Sequence, residues 1–225
     1  MKPLMSRTED TGTLQDLGRA SIQIVHDLKN QLNGLKLYAT FLRKRIEKGD
    51  RPGDEHETIS KLISGLDRAA SDLSTIVEYG RDIELTKQRA ADVQKVLRNI
   101  CLDLTTPDCL VTYASEEDSF IGEFDPMKLA DAFKWITIGA IKYRETETNP
   151  TGISVSIASD KSKTNAVQIK WSGLARLDHD PFRSFHGSDE IRMSLSAKII
   201  EAHDGSVSYE DNSILVTLPL SSTTE

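Results

Sequence analysis

In the first third of the chain the apolar residues repeat at alternating steps of three and four. They are Val25, Leu28, Leu32, Leu35, Ala39, Leu42 and Ile46, then Ile59, Leu62, Leu66, Ala69, Leu73 and Ile76. That period draws one narrow stripe down a helix, the form that packs on other helices. Between the two runs stand Gly49, Pro52 and Gly53, which halt a helix. The pattern therefore predicts two long helices and a short loop. The first starts near Thr13, which with Asp16 resembles a capping box, and ends near Lys48, where Arg43, Lys44, Arg45 and Lys48 suit a helix C-terminus. Asp54 caps the second, with Glu55 and Glu57 in its first turn. At about 1.5 Å per residue the first helix would run about 50 Å, leaving a lone hairpin with apolar surface bare along its length. A second copy is the simplest cover, giving a homodimeric four-helix bundle across a two-fold axis.

The pattern changes after Lys87. Ala91 to Leu104 reads as an amphipathic helix, Leu110 to Tyr113 and Phe120 to Phe124 as strands, and Pro126 to Tyr143 as a helix entered through Asp125. Ile153 to Ala158 and Ala166 to Trp171 alternate around a turn-rich Ser159 to Asn165, which predicts a hairpin. A helix over Ser194 to Ala202 and a closing hairpin of Val207 to Tyr209 with Ile214 to Leu218 complete an α+β sandwich with helices on one face. The expected organisation is a flexible N-terminus over 1–12, the helical hairpin over 13–87 and the α+β domain over 88–220, with Ser221 to Glu225 frayed.

Composition narrows the function. With 225 residues there is room for these two domains and no separate sensor module. The formal charge of −7 repels phosphate backbones, which argues against nucleic acid as a partner. No stretch approaches the ~20 apolar residues that cross a bilayer, and Met1 to Asp10 lacks the apolar core of a secretion signal, so a cytoplasmic protein is expected. Cys101 and Cys109 have no histidine at ligand spacing; they read as a buried thiol and a surface or strand thiol rather than a metal site or redox pair.

The chemistry concentrates in His26-Asp27-Leu28-Lys29-Asn30. Residues four apart share a helix face, so His26 and Asn30 project together while Leu28 turns to the seam. An exposed imidazole is largely neutral at cellular pH and can attack phosphorus. Asp27 can hold or tune an imidazole proton, Asn30 can meet a phosphoryl oxygen or orient water, and Lys29 can offset phosphoryl charge. Position alone leaves a second reading open, in which His26 is simply one of five histidines on a solvated face.

The order of residues adds to this. Ile24 through Tyr38 resembles the H-box of bacterial two-component histidine kinases, whose helix-borne histidine carries a phosphoryl group. The later half is similar to that family's ATP-binding domain: Asp125 to Leu129 through Ala140 to Tyr143 resembles the N-box helix, Pro181 to Phe185 the F-box, and Ala197 to Gly205 the helix and turn after the last glycine box. The resemblance spans about residues 14 to 220. It implies that His26 is the phosphoacceptor, with Asp27 in an acid role.

The departures from that pattern are as informative. The two N-box positions that hold magnesium-binding asparagines carry Trp135 and Gly139. The first glycine box is Trp171-Ser172-Gly173-Leu174-Ala175, with Trp171 where an aspartate grips adenine, and the second places Ile191 and Met193 at glycine positions. Metal ligands, base reader and phosphate cradle are all replaced, so loss of ATP and magnesium binding is expected, with the tryptophans filling part of the old pocket. The resemblance then implies a dimeric histidine phosphotransferase that takes phosphate from one response-regulator receiver domain and gives it to another through His26. Three alternatives stand beside it: a regulator phosphatase using Asp27-x-x-Asn30, a pseudokinase that binds a regulator or an intact histidine kinase without chemistry, and, more weakly, an ATP-dependent kinase.

Overall fold

The structure is a computed structural model that describes residues 27–28, 30–45, 55–145, 152–160, 165–184 and 188–220. The chain divides into two compact units, the first comprising Met1–Arg81 and Phe185–Ser188 and the second Asp82–Ser184 and Asp189–Glu225. The expected start at Thr13, the loop Gly49 to Gly53, the cap Asp54 and the tail after Leu220 lie outside the described residues.

In the first unit, helix α1 covers residues 27–28 and 30–45, and α2 runs Glu55–Tyr79. Gln31 meets Asp72 while Leu35 meets Gly65, so the two helices run antiparallel. A Cβ on Gly65 would lie 2.8 Å from Leu35 Cδ2, and the bare backbone there admits the leucine. Of the predicted stripe, Leu35 and Ala69 are buried within one hairpin, whereas Leu32 (55% exposed), Ile59, Leu66 (55%) and Leu73 (50%) are not. A row of that kind on a single copy is apolar surface without cover.

The second unit runs β1 (Gln88–Asp92), α3 (Val93–Leu104), β2 (Leu110–Ser115), β3 (Ile121–Phe124), α4 (Pro126–Lys142), β4 (Gly152–Ser159), β5 (Ala166–Ser172), α5 (Ser188–Ala202), β6 (Ser206–Glu210) and β7 (Ser213–Pro219). Five strands form one sheet in the order β2-β4-β5-β7-β6, and β1 with β3 forms a small second sheet. β2 and β4 are parallel; the other pairs in the large sheet are antiparallel. Val155 pairs with Trp171 and Trp171 with Ile214, while Ile157 pairs with Ile169 and Ile169 with Val216. These side chains form the buried face, and Ser154, Ser156 and Lys170 alternate to the other. α4 packs on β4 and β5, and α3 packs on β2 and α4, so the unit is an α+β fold.

Three expectations are corrected. Ala91 and Asp92 belong to strand β1, and α3 begins at Val93, because the Asp92 carboxylate takes the amides of Gln94 and Lys95 as an N-cap. α5 begins at Ser188 rather than Ser194. Cys109 is buried like Cys101, and burial pushes the Cys101 thiol up to about 12, where it is inert.

Candidate functional site

Two places carry the residues singled out above. On α1, Asp27 is half-buried and Asn30 exposed; three residues apart on a helix, they share a face. His26 and Lys29 lie outside the described residues. One turn along, Gln31 donates from Nε2 to Asp72 Oδ2 at 2.9 Å, with Asp72 only 5% exposed. This inter-helix bond fixes α1 against α2 beside the Asp27–Asn30 face. It did not figure in the sequence reading, although an acidic residue three places after Ala69, on the inward side of the stripe, is a readable sign of a buried partner.

The second place lies in the α+β unit, where α4, β5 and α5 carry the positions at which the resemblance leads one to expect nucleotide ligands. Trp171 is fully buried and donates from Nε1 to Thr137 Oγ1 at 3.0 Å, while Thr137 in turn donates to the Phe133 carbonyl. The Phe133 and Trp171 ring centroids lie 6.2 Å apart, with the ring planes tilted. Gly139 faces Met193: a Cβ on Gly139 would sit 2.4 Å from the Met193 sulfur. Met193 and Ile191 are both buried. Trp135 is half-buried, with the Arg192 guanidinium 4.5 Å and the Lys134 ammonium 5.5 Å from its ring centre.

The early start of α5 carries this arrangement. Its first turn holds Asp189 and Glu190, which suit the positive end of the helix dipole. Asp189 pairs with Lys142 at 3.1 Å and with Arg192 at 3.3 Å. Glu190 accepts from Tyr143 Oη at 3.1 Å and from Ser184 Oγ at 2.9 Å. Burial, then the Glu190 charge, push the Tyr143 phenol up, so it remains a donor. Two carboxylates thus occupy the helix end that could otherwise attract phosphate.

The residues present do not fit ATP and magnesium. Gly139 is covered by a thioether, Trp171 offers no carboxylate to a base, and the α5 N-terminus already holds two negative charges. Among the described residues no group of three or more His, Cys, Asp or Glu side chains is placed to hold a metal ion. Nor, among them, is any helix long and apolar enough to cross a membrane. Trp135, Gly139, Trp171, Ile191 and Met193 were singled out from the sequence; Thr137, the buried partner of Trp171, and the acidic first turn of α5 were not.

No protein-family model matches the chain, and no curated protein matches it by sequence. Solved structures do match. A histidine kinase ThkA, in complex with the response regulator protein TrrA, is 16% identical with a TM-score of 0.67, covering 100% of this chain and 69% of that one. The Acinetobacter baumannii histidine kinase AdeS is 17% identical with a TM-score of 0.61, over 88% of this chain and 98% of that one. Full-length ShkA in complex with AMPPNP is 12% identical with a TM-score of 0.61; the match covers 92% of this chain and 47% of ShkA, so the chain spans about half of it. At these identities the likeness is one of fold alone: the chain resembles these histidine kinases in fold, its α+β unit resembling their ATPase domain.

Proposed function

We propose that the protein is a homodimeric, cytoplasmic histidine phosphotransferase of a two-component phosphorelay that works without ATP. Two hairpins pair into a four-helix bundle through the row of Leu32, Ile59, Leu66 and Leu73, which one copy leaves exposed. A phosphorylated receiver domain docks on the bundle. The bond from phosphorus to its aspartate oxygen breaks as a bond to the His26 imidazole forms; a second receiver aspartate then takes the phosphoryl group and frees the imidazole. The acyl phosphate already carries the transfer potential, so the protein contributes position and electrostatics. The solved complex of ThkA with a response regulator supports this kind of partner.

The observation that carries the reading is the interlocked packing of Trp171 with Thr137 and of Met193 over Gly139, at the positions where the kinase pattern places nucleotide ligands. A second reading, regulator phosphatase, draws on Asn30, which stands exposed on α1 where its amide can orient water. Phosphotransfer profiling separates the two. The purified full chain is mixed with phosphorylated regulators, with and without ATP. Label should move to the protein irrespective of ATP and disappear in His26→Ala. Loss of regulator label to inorganic phosphate that survives His26→Ala and fails in Asn30→Ala would establish the phosphatase instead. Regulator binding without either reaction would mark a pseudokinase, and micromolar ATP binding by calorimetry would overturn the ATP-free reading.

A further inference from the structure

His203, directly after α5, is 1% exposed and plays no part in the chemistry above. Its Nδ1 lies 2.8 Å from the Ile199 carbonyl, and its Nε2 accepts the Asp125 main-chain N–H at 3.0 Å. That pattern requires a neutral ring with its proton on Nδ1. Asp125 is the N-cap of α4: Oδ1 takes the amides of Met127 and Lys128, while Oδ2 takes the Thr86 amide at 2.8 Å. Thr86 lies in the stretch that leads from α2 into β1, and the next residue, Lys87, pairs with Asp204 at 3.5 Å. Three hydrogen bonds in series therefore tie the end of α5, the start of α4 and the entering chain.

We propose that His203, Asp125 and the Thr86 amide form a proton-sensitive clasp, closed while the imidazole is neutral and opened when it takes a second proton. Protonation places an N–H on Nε2 facing the Asp125 N–H, and two donors cannot share one bond. Either the N-cap backs away or its carboxylate swings to the imidazolium. Both responses take Oδ2 off Thr86. Among the groups facing the ring, Lys87 from the entering chain opposes protonation, while Asp125 from α4 and Asp204 from the turn after α5 favour it; Phe124 of β3 contributes only its ring, 6.0 Å away. Burial leads and holds the ring below its ordinary pKa, with Lys87 adding to it and the Ile199 bond and the two aspartates opposing. With the folded-state value depressed, the clasp is firm above the free-histidine pKa and weakens as pH falls below it.

Hydrogen exchange at single amides of the full chain, read by NMR and corrected for intrinsic rates, tests this. Protection at Thr86 and Asp125 should fall about tenfold per pH unit below about pH 6.5. Ile169, paired on both sides in the centre of the sheet, should keep its protection. His203→Gln supplies an acceptor that does not titrate, and should flatten the response. Wild-type Thr86 protection that is flat with pH, that falls together with Ile169, or that falls as steeply in His203→Gln would overturn the clasp. Should His203→Gln not fold, the ring ¹⁵N shifts of wild type decide: a titration midpoint that tracks Thr86 protection supports it, and one that does not overturns it.

Discussion

Trp171 puts an indole where the kinase pattern has a carboxylate, and its surroundings suit the indole alone. The ring lies among Phe133, Val155 and Ile214, and its single polar atom is satisfied by Thr137. Placing the aspartate of that pattern here should therefore fail to create a nucleotide site. Trp171→Asp would bury a charge without a cation and leave a cavity beside it, at a cost of roughly 3 kcal/mol or more. Trp171→Phe keeps the ring packing and loses one hydrogen bond, at about 1–2 kcal/mol. Chemical denaturation of the full chain should rank the variants in that order, and calorimetry should find no ATP binding to Trp171→Asp; a stable, nucleotide-binding Asp variant would contradict this account of the site.

At the level of elements, α4 and α5 are held together by a complementary pair, a missing side chain at Gly139 and a flexible one at Met193. In an exposed helix Gly→Ala gains about 1 kcal/mol, whereas overpacking a filled core costs about 1–3 kcal/mol, so Gly139→Ala should be a net loss. In a Met193→Ala background the same substitution should turn neutral or stabilising, and a double-mutant cycle by urea unfolding should show that coupling. Additive effects would mean that the two residues do not meet. Most of these elements were legible in the sequence: Asp125-Pro126 announced α4 as a cap followed by a proline, and strict alternation announced β4 and β5. β1 was not, because Gln-Arg-Ala-Ala-Asp has neither alternation nor branched side chains. The first turns of α5 escaped because Ile191, Met193, Ser194, Leu195 and Ser196 are buried around the helix and leave no single apolar stripe. The identities at the site could be counted off the sequence. That Gly139 and Met193 interlock could not, since no local period links residues of different elements.

At the scale of the whole molecule, the proposed dimer rests on the exposed row of the hairpin. The proposed dimer should sediment at twice 25.0 kDa. Leu66→Glu, on the exposed row, should weaken that dimer about a hundredfold or more, equivalent to ~3 kcal/mol, with helix content retained. Leu35→Glu, inside one hairpin, should instead unfold the hairpin itself. Analytical ultracentrifugation with circular dichroism distinguishes these outcomes, and a Leu66→Glu dimer of undiminished affinity would exclude the row as the interface. The order of strands has a further consequence, for biosynthesis. β7 is threaded between β5 and β6, although it follows both in the chain, so the large sheet stays open until this strand leaves the ribosome. The helices of the first unit emerge long before that. In the proposed dimer, two nascent chains on one messenger would thus find each other by their hairpins while both α+β units are still unfinished.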